Sequence, residues 1–127
     1  MCQFYLLENK KFAKINSWSS LQNTVIHSID SNSKNTFVFT KKNGVFIDNN
    51  GVLSSWNHPL NSILKTELII TARFIDNDRL VIGTAFKGVY IVDFKNNNTI
   101  NINRNNSLKN NSILSIGFDK ENDLWLG

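Results

Sequence analysis

The chemistry this chain of 127 residues can offer rests on two histidines, one cysteine and a scatter of lysines and arginines. Cys2 stands alone, which excludes an internal disulfide and a cysteine-based zinc site. Spacing places no carboxylate or nucleophile beside His27 or His58, and there is no phosphate-binding loop or metal-ligand pattern. The residues therefore point to no enzyme, no metal and no cofactor. Asp76 and Asp78 form a carboxylate pair, but within a turn signature, where solvated turn residues are the plain reading. What remains is binding chemistry. Lys41, Lys42, Lys87, Arg104 and Lys109 could hold an anionic group, with His58 beside them, and Trp56 could stack on a sugar ring. For Trp56 core packing is the favoured role, as it is for Trp125.

Composition bounds what must position these residues. The chain is 41% hydrophobic and 19% charged, with a net charge of +4, which fits one globular domain or part of one. No apolar run approaches the roughly 18 to 20 residues a membrane helix needs, so this segment is expected to make no membrane contact. The opening "CQFYLLENKKF" lacks the basic and apolar regions of a secretory signal. The positive charge is modest and forms no dense run with aromatics, so nucleic acid is not indicated as a partner. Asn makes up about one residue in six, clustered between apolar runs such as "TFVFT" and "VYIVDF", which is turn chemistry and not a disordered tract.

An internal repeat organises the chain. Aligning "LVIGTAFKGVYIVD" with "TFVFTKKNGVFIDN" puts Thr84 on Thr40 and Gly88 on Gly44, an offset of 44. Aligning "SILSIGFDKENDLWLG" with "LIITARFIDNDRLVIG" puts Leu124 on Leu80 and Gly127 on Gly83, again 44. Within each unit the apolar runs are short, β-branched and bounded by Asn, Asp, Gly or Lys, which predicts strands. In the second unit they fall over 68–75, 79–84, 88–94 and 99–103. Gly44 and Gly88 occupy one turn position, where a positive φ favours glycine. The helical template finds no good match, and its nearest candidate, "SWSSLQNTVIHSI", is read as strand. A period near 44 residues with four strands suits a propeller blade. The predicted fold is all-β, a β-propeller fragment of about three four-stranded blades. Residues 1–22 are read as the outer strands of a preceding partial blade, 23–66 and 67–110 as blades, and 111–127 as the first two strands of a truncated one. Three blades do not close a ring, so a piece of a longer gene product is favoured over copies that assemble.

The segments "ILSIGFDKENDLWLG", "IGTAFKGVYIVD" and "NSLKNNSILSI" resemble the two-component regulator propeller repeat, whose core reads roughly Leu-Trp-Ile-Gly-Thr, a short turn, Gly-Leu and Asp. Thr40, Gly44, Gly83, Thr84, Gly88, Leu124, Trp125 and Gly127 carry the likeness. Phe39 departs from it by replacing the Gly before Thr40, and Ser107 by replacing a Gly in the inter-blade segment. The resemblance implies a bacterial periplasmic sensor, usually seven-bladed, that responds to glycans. Its partners would be the remaining blades of the same propeller, an extracellular glycan or other small ligand, and a possible homodimer through domains absent here. A propeller enzyme of lyase type and an intracellular protein-interaction scaffold are the alternatives, the latter placing the chain in the cytoplasm.

In such a blade the turns alternate between two faces. The first face receives Glu8, Asp30, Asp48, Asp76, Asp78, Asp93, Asp119, Glu121 and Asp123. The second receives Lys41, Lys42, Lys65, Lys87, Arg104 and Lys109, with Glu67 opposing. Acids and bases are thus expected to segregate, and a face of one sign focuses potential on an anionic partner such as a sulfated or uronic-acid glycan. The plainer reading is that Asp favours tight turns and Lys solvated loops. His27 alternates with Ile26 and Ile29 on the innermost strand, facing a central channel, where a structural role is favoured.

Overall fold

The computed structural model describes all residues except 1–4, 9, 10, 15, 22, 107, 114 and 122, so Cys2 and Ser107 lie outside the described residues. The architecture is all-β. A hairpin of β1 (Tyr5–Glu8) and β2 (Lys11–Lys14) is followed by a four-stranded antiparallel sheet of β3 (Ile26–Ser31), β4 (Thr36–Thr40), β5 (Val45–Asn49) and β6 (Val52–Ser55). A second sheet of the same order contains β7 (Ile69–Phe74), β8 (Arg79–Thr84), β9 (Val89–Asp93) and β10 (Asn98–Ile102). β11 (Ile116–Phe118) pairs with β12 (Leu124–Leu126). The strands predicted for the second unit match β7 to β10 to within two residues at every end.

The repeat is visible in hydrogen bonds as well as in strand order. Thr40 N and Oγ1 both donate to the Gly44 carbonyl, at 3.1 and 2.6 Å. Thr84 does the same to Gly88, at 2.9 and 2.8 Å. Each hydroxyl also accepts from the third turn residue, Asn43 N at 2.8 Å and Lys87 N at 2.9 Å. The turn closes because its glycine takes φ of +78° at Gly44 and +77° at Gly88, a conformation that costs other residues energy. Thr40 and Thr84 are fully buried, so each hydroxyl must find partners inside the fold and does.

Alternation along the strands builds the core between sheets. Phe37 and Phe39 project from one side of β4 and meet Leu80 and Ile82 from the facing side of β8, with Trp56, Leu60, Leu64, Ile69 and Val92 completing the cluster. The intervening Val38 packs the other way, on Trp18 and Leu21. Val81 likewise turns away from the first cluster and packs on Ile113 and Ile116. Truncating a fully buried Leu80 to Ala removes packing worth about 2–5 kcal/mol. Two polar ties also bridge the sheets, each between residues 44 apart: Phe74 N donates to Asp30 Oδ2 at 2.9 Å and Ser33 N to Asn77 Oδ1 at 2.6 Å.

Three expectations are corrected. A short helix, α1 (Pro59–Leu64), stands where only an inter-unit loop was predicted. His58 caps it through Nδ1, which accepts from Leu60 N at 3.1 Å, and Pro59 occupies the first turn. Its six residues are too few for a periodic signal, and Asn61 and Ser62 read as loop. Secondly, "SWSSLQNTVIHSI" is not one strand, since Asn16–Leu21 is a 3-10 helix and the strand begins at Ile26. Finally, Trp125 is 64% exposed and not packed. It occupies the repeat position of Phe37 and Val81, both of which are buried. Leu124 and Leu126 face the buried side of β12, and over its other side Trp125 meets Asp119, whose Oδ2 accepts from Nε1 at 3.0 Å.

Candidate functional site

Antiparallel order sends alternate turns to opposite ends of each sheet. The β3–β4, β5–β6, β7–β8, β9–β10 and β11–β12 turns share one end. The β4–β5 and β8–β9 turns, α1 and the linkers into β7 and β11 share the other. Lys41 and Lys42 stand on the β4–β5 turn, Lys87 on the β8–β9 turn, Lys65 after α1, and Arg104 and Lys109 on the segment after β10, and all six side chains are exposed.

The two ends differ in how their charges are engaged. At the first end Asp76 Oδ1 accepts from Asp78 N and Arg79 N, each at 2.9 Å, and Oδ2 pairs with the Arg79 guanidinium at 2.7 Å. Asp93 Oδ1 caps Lys95 N and Asn96 N, and Asp119 Oδ1 caps Glu121 N and Asp123 N. Asp48 Oδ1 holds Gly51 N at 2.7 Å, while Asp30 bridges the sheets. These carboxylates are turn chemistry. At Asp76, burial raises the pKa but is outweighed by the hydrogen bonds from Arg79 and Asp78 and by the Arg79 charge, leaving it below the ordinary value. The Asn96 side chain lowers Asp93, and the Trp125 indole, followed by backbone N–H groups, lowers Asp119.

Lys34, Arg79, Lys95 and Lys120 also stand at this first end, so the bases occupy both ends and only the acids segregate. Among the described residues the second end holds six cations against the single carboxylate of Glu67. Among the described residues none of those six cations has an ion pair or a side-chain hydrogen bond.

Between the two sheets at this second end lies a depression of about 470 Å³ lined by Lys42, Lys65, Thr66, Glu67, Leu68 and Phe86. Lys42 also borders a second hollow of about 330 Å³, beside Thr24, Val25 and Lys41. Lys87, Arg104 and Lys109 stand outside the first hollow. Gly44 lets the β4–β5 turn approach α1 closely: a Cβ there would fall 2.9 Å from Lys65 Cγ and 2.6 Å from Asn61 Oδ1. Asn61 is buried and locks α1 to β5, its Oδ1 accepting from Val45 N at 2.8 Å and its Nδ2 donating to Val45 O at 3.0 Å.

Thr66, Leu68 and Phe86 are lining residues that sequence reasoning missed, and Phe86 is 71% exposed at the turn tip. The repeat held the signal, since position 86 aligns with Lys42, and an aromatic residue there serves no need of the turn.

The remaining predicted residues sit elsewhere. Trp56 is 6% exposed, with one ring face on His58 at 4.4 Å and its edges toward Phe37 and Phe94, so it belongs to the core. His58 is half-buried and committed to the helix cap, and burial lowers its pKa. His27 is exposed on β3, away from both hollows.

No helix among the described residues is long and apolar enough to cross a membrane. No family model matches this chain, and no curated protein does. Among solved structures it is similar to the extracellular domain of BT4673 from B. thetaiotaomicron, a protein described as a one-component system, at 18% identity and a TM-score of 0.40. That alignment covers 82% of this chain and 19% of the other.

Proposed function

We propose that this chain is a ligand-binding segment of a β-propeller in a bacterial periplasmic signalling protein, and that the end bearing Lys41, Lys42 and Lys87 recognises an anionic extracellular glycan. The repeat motifs support the propeller and sensor part of this reading, with the two four-stranded sheets as blades and the remaining blades supplied by further repeats.

One observation carries the binding part. Four carboxylates at one end, Asp48, Asp76, Asp93 and Asp119, are engaged in turn capping, whereas among the described residues the six cations at the other are exposed and have no ion pair or side-chain hydrogen bond. Unpaired cations crowded on one surface raise the local potential, and a ligand that pairs with them relieves their mutual repulsion. The segment acts here as a binding module, with any output carried by other domains.

A glycan array probed with the chain at low and at physiological salt tests the proposal. Exposed pairs are screened beyond a Debye length of about 8 Å at physiological ionic strength. The expected result is enrichment of anionic glycans that weakens as salt rises. Enrichment of neutral glycans, or no binding, overturns it.

A further inference from the structure

We infer that the hollow formed by Lys42, Lys65, Glu67 and Phe86 is a subsite for one singly charged, carboxylated sugar ring, and that Glu67 is the residue that selects such a ring over a sulfated polyanion. The inference rests on the anionic-glycan reading above and deepens it at one place.

Phe86 is 71% exposed, yet the turn beneath it is fixed by the Thr84 hydroxyl and by Gly88. The backbone that presents this aromatic is fixed before a ligand arrives, so stacking a sugar face on it needs only the side chain to be ordered. Glu67, by contrast, is buried to 7% exposure. Its Oε1 accepts from Phe86 N at 3.2 Å, and among the described residues no protein donor reaches its second oxygen. An ionised carboxylate is an acceptor only, so its complement is a hydroxyl or another donor.

Two ammonium groups against one carboxylate leave the hollow with a single net positive charge, which suits one anionic group. Several sulfates would meet Glu67 as like charges. Neither residue is demanded by the repeat: the positions equivalent to Phe86 and Glu67 in the first sheet are Lys42 and Asn23. The pairing of a carboxylate with an exposed aromatic therefore belongs to this junction between the sheets.

The test is calorimetric titration of the chain with three probes: an oligogalacturonate tetrasaccharide, a heparin-derived tetrasaccharide and cellotetraose. Wild type, Phe86→Ala and Glu67→Gln are compared, with circular dichroism confirming the fold of each. Gln keeps an acceptor for Phe86 N. The expected result is galacturonate binding that Phe86→Ala weakens about fivefold or more, with Glu67→Gln reducing the preference for galacturonate over heparin about tenfold. If both variants bind all probes as wild type does, while Lys41→Ala and Lys87→Ala lose the anionic ones, the subsite is overturned and the basic-end reading stands. Preferred binding of cellotetraose, or no binding of any probe, overturns both.

Discussion

Replacing Gly88 by alanine puts a methyl group where the fold has no room for one. Gly88 lies at φ +77°, and an added Cβ would collide with the Ile102 carbonyl oxygen and lie 3.0 Å from Asn103 Cα. Both are backbone atoms at the end of β10 and cannot swing aside as a side chain would. The left-handed backbone costs a non-glycine residue about 1–2 kcal/mol, and forcing a carbon into packed backbone adds roughly 1–3 kcal/mol.

Gly51 separates the two contributions, because it lies at φ +87° with no atom within 4 Å of an added Cβ. Urea denaturation should therefore show a loss of about 1–2 kcal/mol for Gly51→Ala and about 2–5 kcal/mol for Gly88→Ala. With a slope of about 1–3 kcal/mol per molar urea, the two midpoints should separate by about 1 M. Gly44→Ala should fall between them, since its new carbon meets the Asn61 and Lys65 side chains. Equal losses for Gly51→Ala and Gly88→Ala would refute the close approach of the β8–β9 turn to the end of β10.

Asn61→Ala leaves Val45 N and O without their side-chain partner in a buried place and should cost about 2–4 kcal/mol by the same denaturation. Val81→Ala should cost about 1–3 kcal/mol while Trp125→Ala stays below about 1 kcal/mol, because one repeat position is fully buried and the other 64% exposed. The folded-state pKa of His58 is lowered, so its contribution is present above the unfolded value near 6.5 and is lost as pH falls through the folded pKa. Melting temperature should accordingly drop on acidification from about pH 7.5 to 5.5, and His58→Asn, which retains a capping oxygen, should flatten that dependence. Asp76, Asp93 and Asp119 are all held below their ordinary values, so a further loss is expected below about pH 4, smaller in Asp119→Asn.

Much of this architecture is written in short-range chemistry. Thr40 with Gly44 and Thr84 with Gly88 announce the same turn twice, and the alternation of Phe37, Val38 and Phe39 fixes which side of β4 meets which neighbour. Those signals are local and survive in the sequence. α1 was not legible because six residues carry no period and its stability comes from Asn61 reaching back to β5, a contact 16 residues away. In the candidate site, the lysines could be sorted to one end from turn order alone. The capping by Asp48, Asp76, Asp93 and Asp119 reaches only two to four residues along the chain and agrees with the turn reading of the sequence, whereas the burial of Trp56 among Phe37, Phe94 and His58 and the bond from Phe86 N to Glu67, 19 residues away, depend on tertiary packing.

The central claim is that the exposed cations at one end hold an anionic glycan. It is tested most directly by titrating the anionic glycan that binds best on the array into wild type, Lys41→Ala/Lys42→Ala/Lys87→Ala, and the opposite-end control Lys34→Ala/Lys95→Ala/Lys120→Ala. Both variants lose the same charge, so net-charge effects cancel. Binding is expected to fall about tenfold or more in the first variant and to change little in the second. Equal losses in the two, or an unchanged affinity in the first, would contradict it.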